Sequence, residues 1–459
     1  MDKSEFESRR QKLMDIMGKG SMAILPAAPS LIRNRDVYYP YRQDSNFYYL
    51  TGFPEPEALA IIIPQREQGQ YILFCREKNH DQETWHGNRA GLEGACEIHG
   101  ADDAFPITDI DDIVPSLMES CRRLYYPMGY YQAFDNQIMG WMNQLRYRVR
   151  AGVVAPSEMV ALDQVLHEMR LYKTEAEIQA IRAVVDVTIR AHKRAMQFCR
   201  PGLYEYEIEA EIIHEFLQSG CRSPAFPPIV ASGKNAGILH YTDNNAILND
   251  GDLLLIDAGA ELDYYASDIT RTFPVNGHFT KPQTTIYELV LKAQRAALSK
   301  IYPGNQWNEP YQAAIEVVTK GFIELGLLVG KFNALIEEEA YKRFYMLRIG
   351  HWLGMDVHDP GDYKVDELWR ELEPGMVMTV EPGIYIPAQE DIPDEWWNIC
   401  VRIEDDVLIT ENGHEVLTAD LPKTVAEIEA LMTGEAHFTG STTSFRKNGK
   451  WLNVFSKAY

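Results

Sequence analysis

Four acids stand where apolar, strand-forming runs are interrupted. Asp257 closes LLLI, Asp268 precedes ITRTF, Glu381 follows VMTV, and Glu404 lies within VRIEDDVLI. A single carboxylate at a strand end is commonly a solvated rim residue or half of an ion pair; four converging on one cleft are harder to accommodate. Two unit charges about 4 Å apart interact with about 4 kcal/mol at an effective dielectric near 20, so such a cluster would repel itself by more than a domain tolerates. Strand alternation puts Arg402 on the face of Glu404, with Val401 and Ile403 on the other. Arg402 neutralises one charge, whereas two divalent cations would neutralise all four. His351, in the glycine-punctuated run GHWLGMDVHDPG that also holds His358, offers a nitrogen ligand. Carboxylates with one imidazole suit hard-to-borderline ions, Mn2+ better than a thiolate-seeking metal. A pair of such ions can hold hydroxide at neutral pH, which makes hydrolysis the expected chemistry.

Competing motifs fail. Gly233-Lys234 is followed by Asn235 and lacks P-loop spacing, and there is no zincin helix motif, nucleophile elbow or Rossmann glycine pattern.

The elements that must position these residues fall into two regions. Up to about residue 170, short apolar runs alternate with turn signals; ALAIIIP and YILFC flank the polar QREQGQ and predict a strand pair. The aromatic-rich YYPYRQDSNFYYLTGF reads as packed core or interface. Beyond it, Thr174 and Glu177 have capping-box spacing and predict a helix to about Phe198, stopped by Pro201-Gly202 and followed by a helix from about Tyr204 to Ser219. Thr285 and Glu288 predict a second such helix to about Lys300, a break at Pro303-Gly304, and another helix to about Leu325. Strands follow each helix pair, as a duplicated domain would arrange them.

A chain of 459 residues, 46% hydrophobic and 24% charged, can bury two cores. Its formal net charge of −23 would repel a phosphate backbone, so nucleic acid is a poor partner. Six scattered cysteines without C-x-x-C spacing, a charged N-terminus without an apolar core and no long apolar run predict reduced thiols, no signal peptide, no membrane span and a cytoplasmic location.

Taken together, LLLIDAG, SDITRTFPVNG, GHWLGMDVHD, MTVEPGIYI and VRIEDD, with ILHYTDN and HEMRLYKTEAEI, resemble the Xaa-Pro aminopeptidases (aminopeptidase P) of the pita-bread metallopeptidases, in the family's order from about residue 5 to 432. The resemblance implies an α+β chain: an N-terminal creatinase-like α/β domain over 1–172, a duplicated pita-bread domain, similar to methionine aminopeptidase, over 173–432, and a polar extension over 433–459. It implies two divalent metals, with Asp257 on the first, Asp268 and Glu404 bridging, and His351 and Glu381 completing the second. His240 and His358 would bind the scissile carbonyl and the tetrahedral intermediate, Glu381 would carry a proton to the leaving nitrogen, Arg402 would orient the carboxylates, and Tyr385 would lie nearby. Asp36 and Trp85 match positions that approach a neighbour's active site in oligomeric members, so a homodimer or homotetramer acting on proline-containing peptides is expected. The chain departs from the family at Leu347, where the signature has histidine or alanine; Leu347 and its neighbour Arg348 are where substrate binding is expected to differ. The alternatives are a prolidase, which cleaves only dipeptides, and a non-catalytic binding protein on the same fold. Relatives of the latter kind lose metal ligands, and this chain keeps all five.

Overall fold

The computed structural model describes residues 1–119 and 121–434, and the backbone of 444–447 and 450–453. The extension expected from residue 433 therefore lies almost wholly outside the described residues. The chain divides into two compact units. The first comprises 1–180 with two short stretches, 263–265 and 354–370; the second comprises 181–262, 266–353 and the chain from 371 onward.

In the first unit, strands β1 (Ser21–Pro26), β2 (Leu59–Ile62), β3 (Tyr71–Cys75), β4 (Asp103–Pro106), β5 (Arg123–Tyr126) and β6 (Glu158–Ala161) form one sheet in the order β4-β3-β2-β1-β5-β6. β2 and β3 are the pair predicted around QREQGQ, antiparallel with Ile62 opposite Tyr71. Both are buried along their whole length, so their continuous apolar runs reflect a sheet covered on both faces. The aromatic segment splits in two. Helix α1 (Ser45–Thr51), capped by Asp44 accepting from the Phe47 amide at 2.9 Å, buries Phe47, Tyr49 and Leu50, whereas Tyr38 and Tyr39 stay exposed.

Ion pairs hold the 354–370 stretch within this unit. Arg170, at the end of α2 (Leu162–Leu171), reaches Asp356 at 2.7 Å and Asp359 at 2.6 Å, and Lys173 reaches Asp359 at 3.0 Å. Burial opposes ionisation of Asp359, yet Arg170 and Lys173 hold its carboxyl below the usual range.

Helix α3 (Glu175–Phe198) begins at the predicted capping box: the Thr174 amide donates to Glu177 at 3.0 Å and the Glu177 amide to the Thr174 hydroxyl at 3.4 Å. Helix α4 (Glu205–Gln218) follows. The second box is misplaced by the sequence pattern. Helix α5 (Lys281–Leu298) starts at Thr280, boxed with Gln283, and Pro282 in its first turn fixes that earlier start. Thr285 is interior, its hydroxyl donating back to the Lys281 carbonyl at 2.9 Å. Helix α6 (Glu309–Glu324) completes the pair.

Each helix pair precedes an antiparallel sheet. Strands β7 (Ile229–Ser232), β8 (Leu253–Ala258) and β9 (Ile269–Pro274) form the first, in chain order. The second half has β10 (Val377–Val380), β11 (Gly383–Tyr385), β12 (Cys400–Arg402), β13 (Asp405–Thr410) and β14 (Gly413–Val416). Here β10 pairs with β13, and β11 with β12. MTVEPGIYI is thus broken at Glu381-Pro382, and VRIEDDVLI at Ile403-Glu404. Pro382 cannot donate to a ladder, so the strand must be interrupted beside Glu381.

Candidate metal centre

Three of the four strand acids occupy breaks in the ladder: Asp268 just before β9, Glu381 between β10 and β11, and Glu404 between β12 and β13. The fourth, Asp257, sits in β8 opposite Thr270. Backbone bonds fix the breaks against one another. The Glu404 amide donates to the Thr270 carbonyl at 3.0 Å, the Glu381 amide to Ile349 at 2.8 Å, and the Thr379 amide to His351 at 2.9 Å. The approach of the His351 segment requires Gly350, because a Cβ there would lie 2.0 Å from the Thr379 carbonyl oxygen.

His351 Nδ1 lies 3.0 Å from the Trp352 carbonyl oxygen. A carbonyl only accepts, so Nδ1 carries the proton and the Nε2 lone pair faces the acids. Nε2 is 3.3 Å from Asp268 Oδ2 and 3.8 Å from Glu381 Oε1. Asp268, His351 and Glu404 present ligand atoms within 4.8 Å of one another. Arg402 reaches Asp257 Oδ2 at 2.5 Å, the Tyr385 hydroxyl at 2.7 Å and Thr270 Oγ1 at 3.1 Å, and Thr270 donates on to Glu404 at 2.7 Å. The side chains therefore form one connected group.

Its electrostatics are dominated by crowded negative charge. Burial and then the charges of Glu404 and Asp257 push the Asp268 carboxyl well above the usual carboxylate range. Burial, followed by Glu381 and Asp257, does the same to Glu404. Burial outweighs the help of Arg402 and pushes Glu381 up to about 7. Burial also opposes the charge on Arg402, but Tyr385, Asp257 and Glu404 keep its guanidinium firmly protonated. One guanidinium cannot balance four carboxylates in such a site. Asp257 Oδ1 and Asp268 Oδ1 are buried without a hydrogen-bond partner among the described residues. Unused oxygen lone pairs, a directed imidazole nitrogen and excess negative charge fit divalent cations.

Other sequence-predicted residues lie differently. His240 is exposed, between Leu239 and Tyr241, which both pack on an apolar cluster containing Tyr385. Leu347 is half-buried against the same cluster, and Arg348 is exposed. Asp36, Trp85 and His358 belong to the first unit. Asp36 is exposed, Trp85 is 82% exposed, and His358 lines a cavity of about 400 Å3 with Arg42, Asp44 and Arg170.

Sequence reasoning missed Thr270, which links Arg402 to Glu404, and Thr379, whose hydroxyl accepts from the His351 amide at 3.1 Å. It also missed Tyr345, a buried hydroxyl without a hydrogen-bond partner among the described residues. Thr270 and Thr379 each stand two residues from one of these acids, and that nearness was the signal in the sequence. Tyr345 carries no such signal.

A duplicated helix-pair and sheet scaffold gathering four carboxylates and an imidazole defines a metallohydrolase. Residues 179–411 match metallopeptidase family M24, and residues 6–125 match the aminopeptidase P N-terminal domain. The chain is 43% identical over 433 residues to Xaa-Pro aminopeptidase of Escherichia coli, covering 94% of this chain and 98% of that one. Against human Xaa-Pro aminopeptidase 3 it is 31% identical, covering 93% and 85%. Among solved structures, Pseudomonas aeruginosa aminopeptidase PepP superposes with a TM-score of 0.94 at 57% identity, over 95% of this chain and 98% of that one. Zinc-substituted E. coli aminopeptidase P in complex with product gives 0.92 at 43% identity, over 95% and 100%. The chain belongs to the aminopeptidase P branch of metallopeptidase family M24.

Proposed function

We propose that the chain is a metal-dependent Xaa-Pro aminopeptidase, releasing the N-terminal residue from peptides with proline at the second position. The observation that carries this reading is the largely buried group of Asp257, Asp268, Glu381 and Glu404 with His351 Nε2, which one arginine cannot neutralise. In this reading these five residues hold two divalent cations, manganese by the hardness of the ligand set. Ions held there would supply a water-derived nucleophile at neutral pH and polarise the scissile carbonyl.

The remaining chemistry belongs to the chain. Arg402 fixes the orientation of Asp257 and, through Thr270, that of Glu404. Glu381 moves a proton to the leaving proline nitrogen. His240 donates toward the carbonyl oxygen as charge develops on it. An Xaa-Pro bond is a tertiary amide without N–H and with a locked φ, so recognition must rest on the ring and the free N-terminus. Assays of Mn2+-loaded protein on Ala-Pro-Xaa and Ala-Pro test this. Release of alanine from the tripeptide is expected; cleavage confined to the dipeptide would make the chain a prolidase, and cleavage of neither would end the peptidase reading.

We extend the proposal to three further points. The domain boundary lies at residues 172–173, a reading supported by the change of compact unit close by, at 180–181 inside α3. No disulfide joins the cysteines among the described residues, which suits a reducing, cytoplasmic setting. The chain self-associates through the surface around Asp36 and Trp85, where Leu31, Ile32, Val37, Tyr38 and Tyr39 are exposed together. Light scattering at micromolar concentration should show a dimer or tetramer; a fully active monomer would contradict it.

Leu347 sets a specificity test. Leucine offers apolar surface where a histidine would donate a hydrogen bond, which is worth about 0.5–1.5 kcal/mol. Leu347→His is expected to leave metal content unchanged and raise kcat/KM on Xaa-Pro peptides several-fold, up to about tenfold. Unchanged kcat/KM on every such peptide would make the position neutral.

A further inference from the structure

The second unit holds another buried acid away from the carboxylate group. Glu205, fully buried in the first turn of α4, accepts five hydrogen bonds. Oε1 takes the Ser232 amide and hydroxyl, both at 2.7 Å, and Asn235 Nδ2 at 3.2 Å. Oε2 takes the Tyr241 hydroxyl at 2.8 Å and the Ala246 amide at 2.9 Å. Every donor comes from residues 232–246, the segment that leaves β7 and carries His240. One turn along α4, Glu209 accepts from Asn244 Nδ2 at 2.9 Å. Asn244, whose backbone is left-handed at φ 44°, in turn accepts the Val230 amide at 3.0 Å. Two acids four positions apart share one helix face, so α4 grips the segment at two points. Between those points Leu239 and Tyr241 pack on the cluster that contains Tyr385, and His240, which stands between these two, is exposed.

We propose that Glu205 is a positioning residue for the reaction: its carboxylate clamps the 232–246 segment so that His240 is presented to substrate in one fixed place. This rests on the reading of His240 as a donor to the substrate carbonyl. The physical reason is preorganisation. A donor on a wandering segment must be ordered during each turnover, whereas a clamped one is already in place when charge develops. Uncharged donors with a carboxylate suit this task, since each buried N–H or O–H left unpaired would draw the segment toward water. Glutamine keeps the shape of Glu205 but has one acceptor oxygen, so its amide N–H2 must face donors on one side and half of the clamp is lost.

The test is a double-variant cycle in the metal-loaded, full-length protein on an Xaa-Pro-Xaa peptide. Glu205→Gln is expected to retain wild-type metal content and KM within about twofold while kcat falls about tenfold, the loss of one to two hydrogen bonds. Amide hydrogen exchange at Ser232 and Ala246 should quicken while that of β8 and β9 is unchanged. His240→Ala should lower kcat about a hundredfold, and adding Glu205→Gln to it should lower kcat no further. If the two losses multiply, Glu205 acts independently of His240 and the clamp proposal is overturned. If His240→Ala leaves kcat unchanged, the substrate-side reading of His240 fails and takes the proposal with it. Should Glu205→Gln fail to fold, Tyr241→Phe removes one donor and keeps the ring in its cluster. A few-fold fall in kcat that is absent in the His240→Ala background is then the expected result, and an unchanged kcat overturns the proposal.

Discussion

Glu404→Ala is expected to lower kcat by at least about a thousandfold, roughly 4 kcal/mol of transition-state stabilisation, while leaving the chain folded. Glu404 receives the Thr270 hydroxyl, sits at the break between β12 and β13, and shares the closest set of ligand atoms with Asp268 and His351. If Glu404 helps to hold the proposed cations, its loss would weaken their site as well as remove one carboxylate. Its effect on the metal-free fold runs the other way. Burial and the charges of Glu381 and Asp257 already push the Glu404 carboxyl well above its usual range, so a neutral replacement relieves repulsion. Glu404→Gln, which keeps the volume, should therefore match or exceed the thermal stability of the chelated wild-type chain while showing the same loss of turnover. Wild-type kcat in either variant would make Glu404 a structural acid and refute its assignment.

The second large effect is in the pH dependence of stability. Glu381 is pushed up to about 7 from an ordinary value near 4.5, and Asp268 and Glu404 shift in the same direction. An acid with a raised folded pKa binds its proton more tightly in the folded state. Its favourable contribution is complete below the unfolded pKa and is lost as pH rises through the folded one. The chelated protein should therefore lose stability between about pH 4.5 and 7, by about 3 kcal/mol from Glu381 alone at 1.36 kcal/mol per unit, with Asp268 and Glu404 adding to it. Divalent cations held by these carboxylates would displace those protons, so the rise in Tm on adding Mn2+ should grow from pH 5 to pH 7.5. Thermal unfolding with and without chelator at the two pH values measures both. Metal-free stability that is flat or rising across the window would contradict the electrostatic account.

These effects depend on how the acids are placed, and the sequence showed their identity better than their setting. Asp257, Asp268, Glu381 and Glu404 were legible because each interrupts or ends an apolar run, and His351 because glycines flank it. The geometry was less so. VRIEDDVLI read as one strand with Glu404 and Arg402 on a single face, whereas Arg402, Ile403, Glu404 and Asp405 are all buried and the strand breaks at Ile403-Glu404. A period-two pattern cannot register a switch from one partner strand to another. Only at Glu381 did the sequence contain the cause, in Pro382. The helices show the same limit: Thr174 with Glu177 located one start, but Thr285 with Glu288 has equal spacing and lies inside a helix that Thr280, Pro282 and Gln283 begin one turn earlier. Long-range partners were beyond reach. The grip of Glu205 on residues 232–246 and of Arg170 on Asp356 and Asp359 joins positions whose proximity no local pattern encodes.

The central claim is that this group of side chains exists to hold two divalent cations that make it a peptidase. Titration of chelated protein with Mn2+, with bound metal measured by elemental analysis and release of the N-terminal residue from Ala-Pro-Xaa measured on the same samples, tests it most directly. The expected result is saturation at two ions per chain, with activity appearing as the sites fill and vanishing on chelation. Hydrolysis that persists in metal-free protein, or saturation with no ion bound at these residues, would contradict the claim.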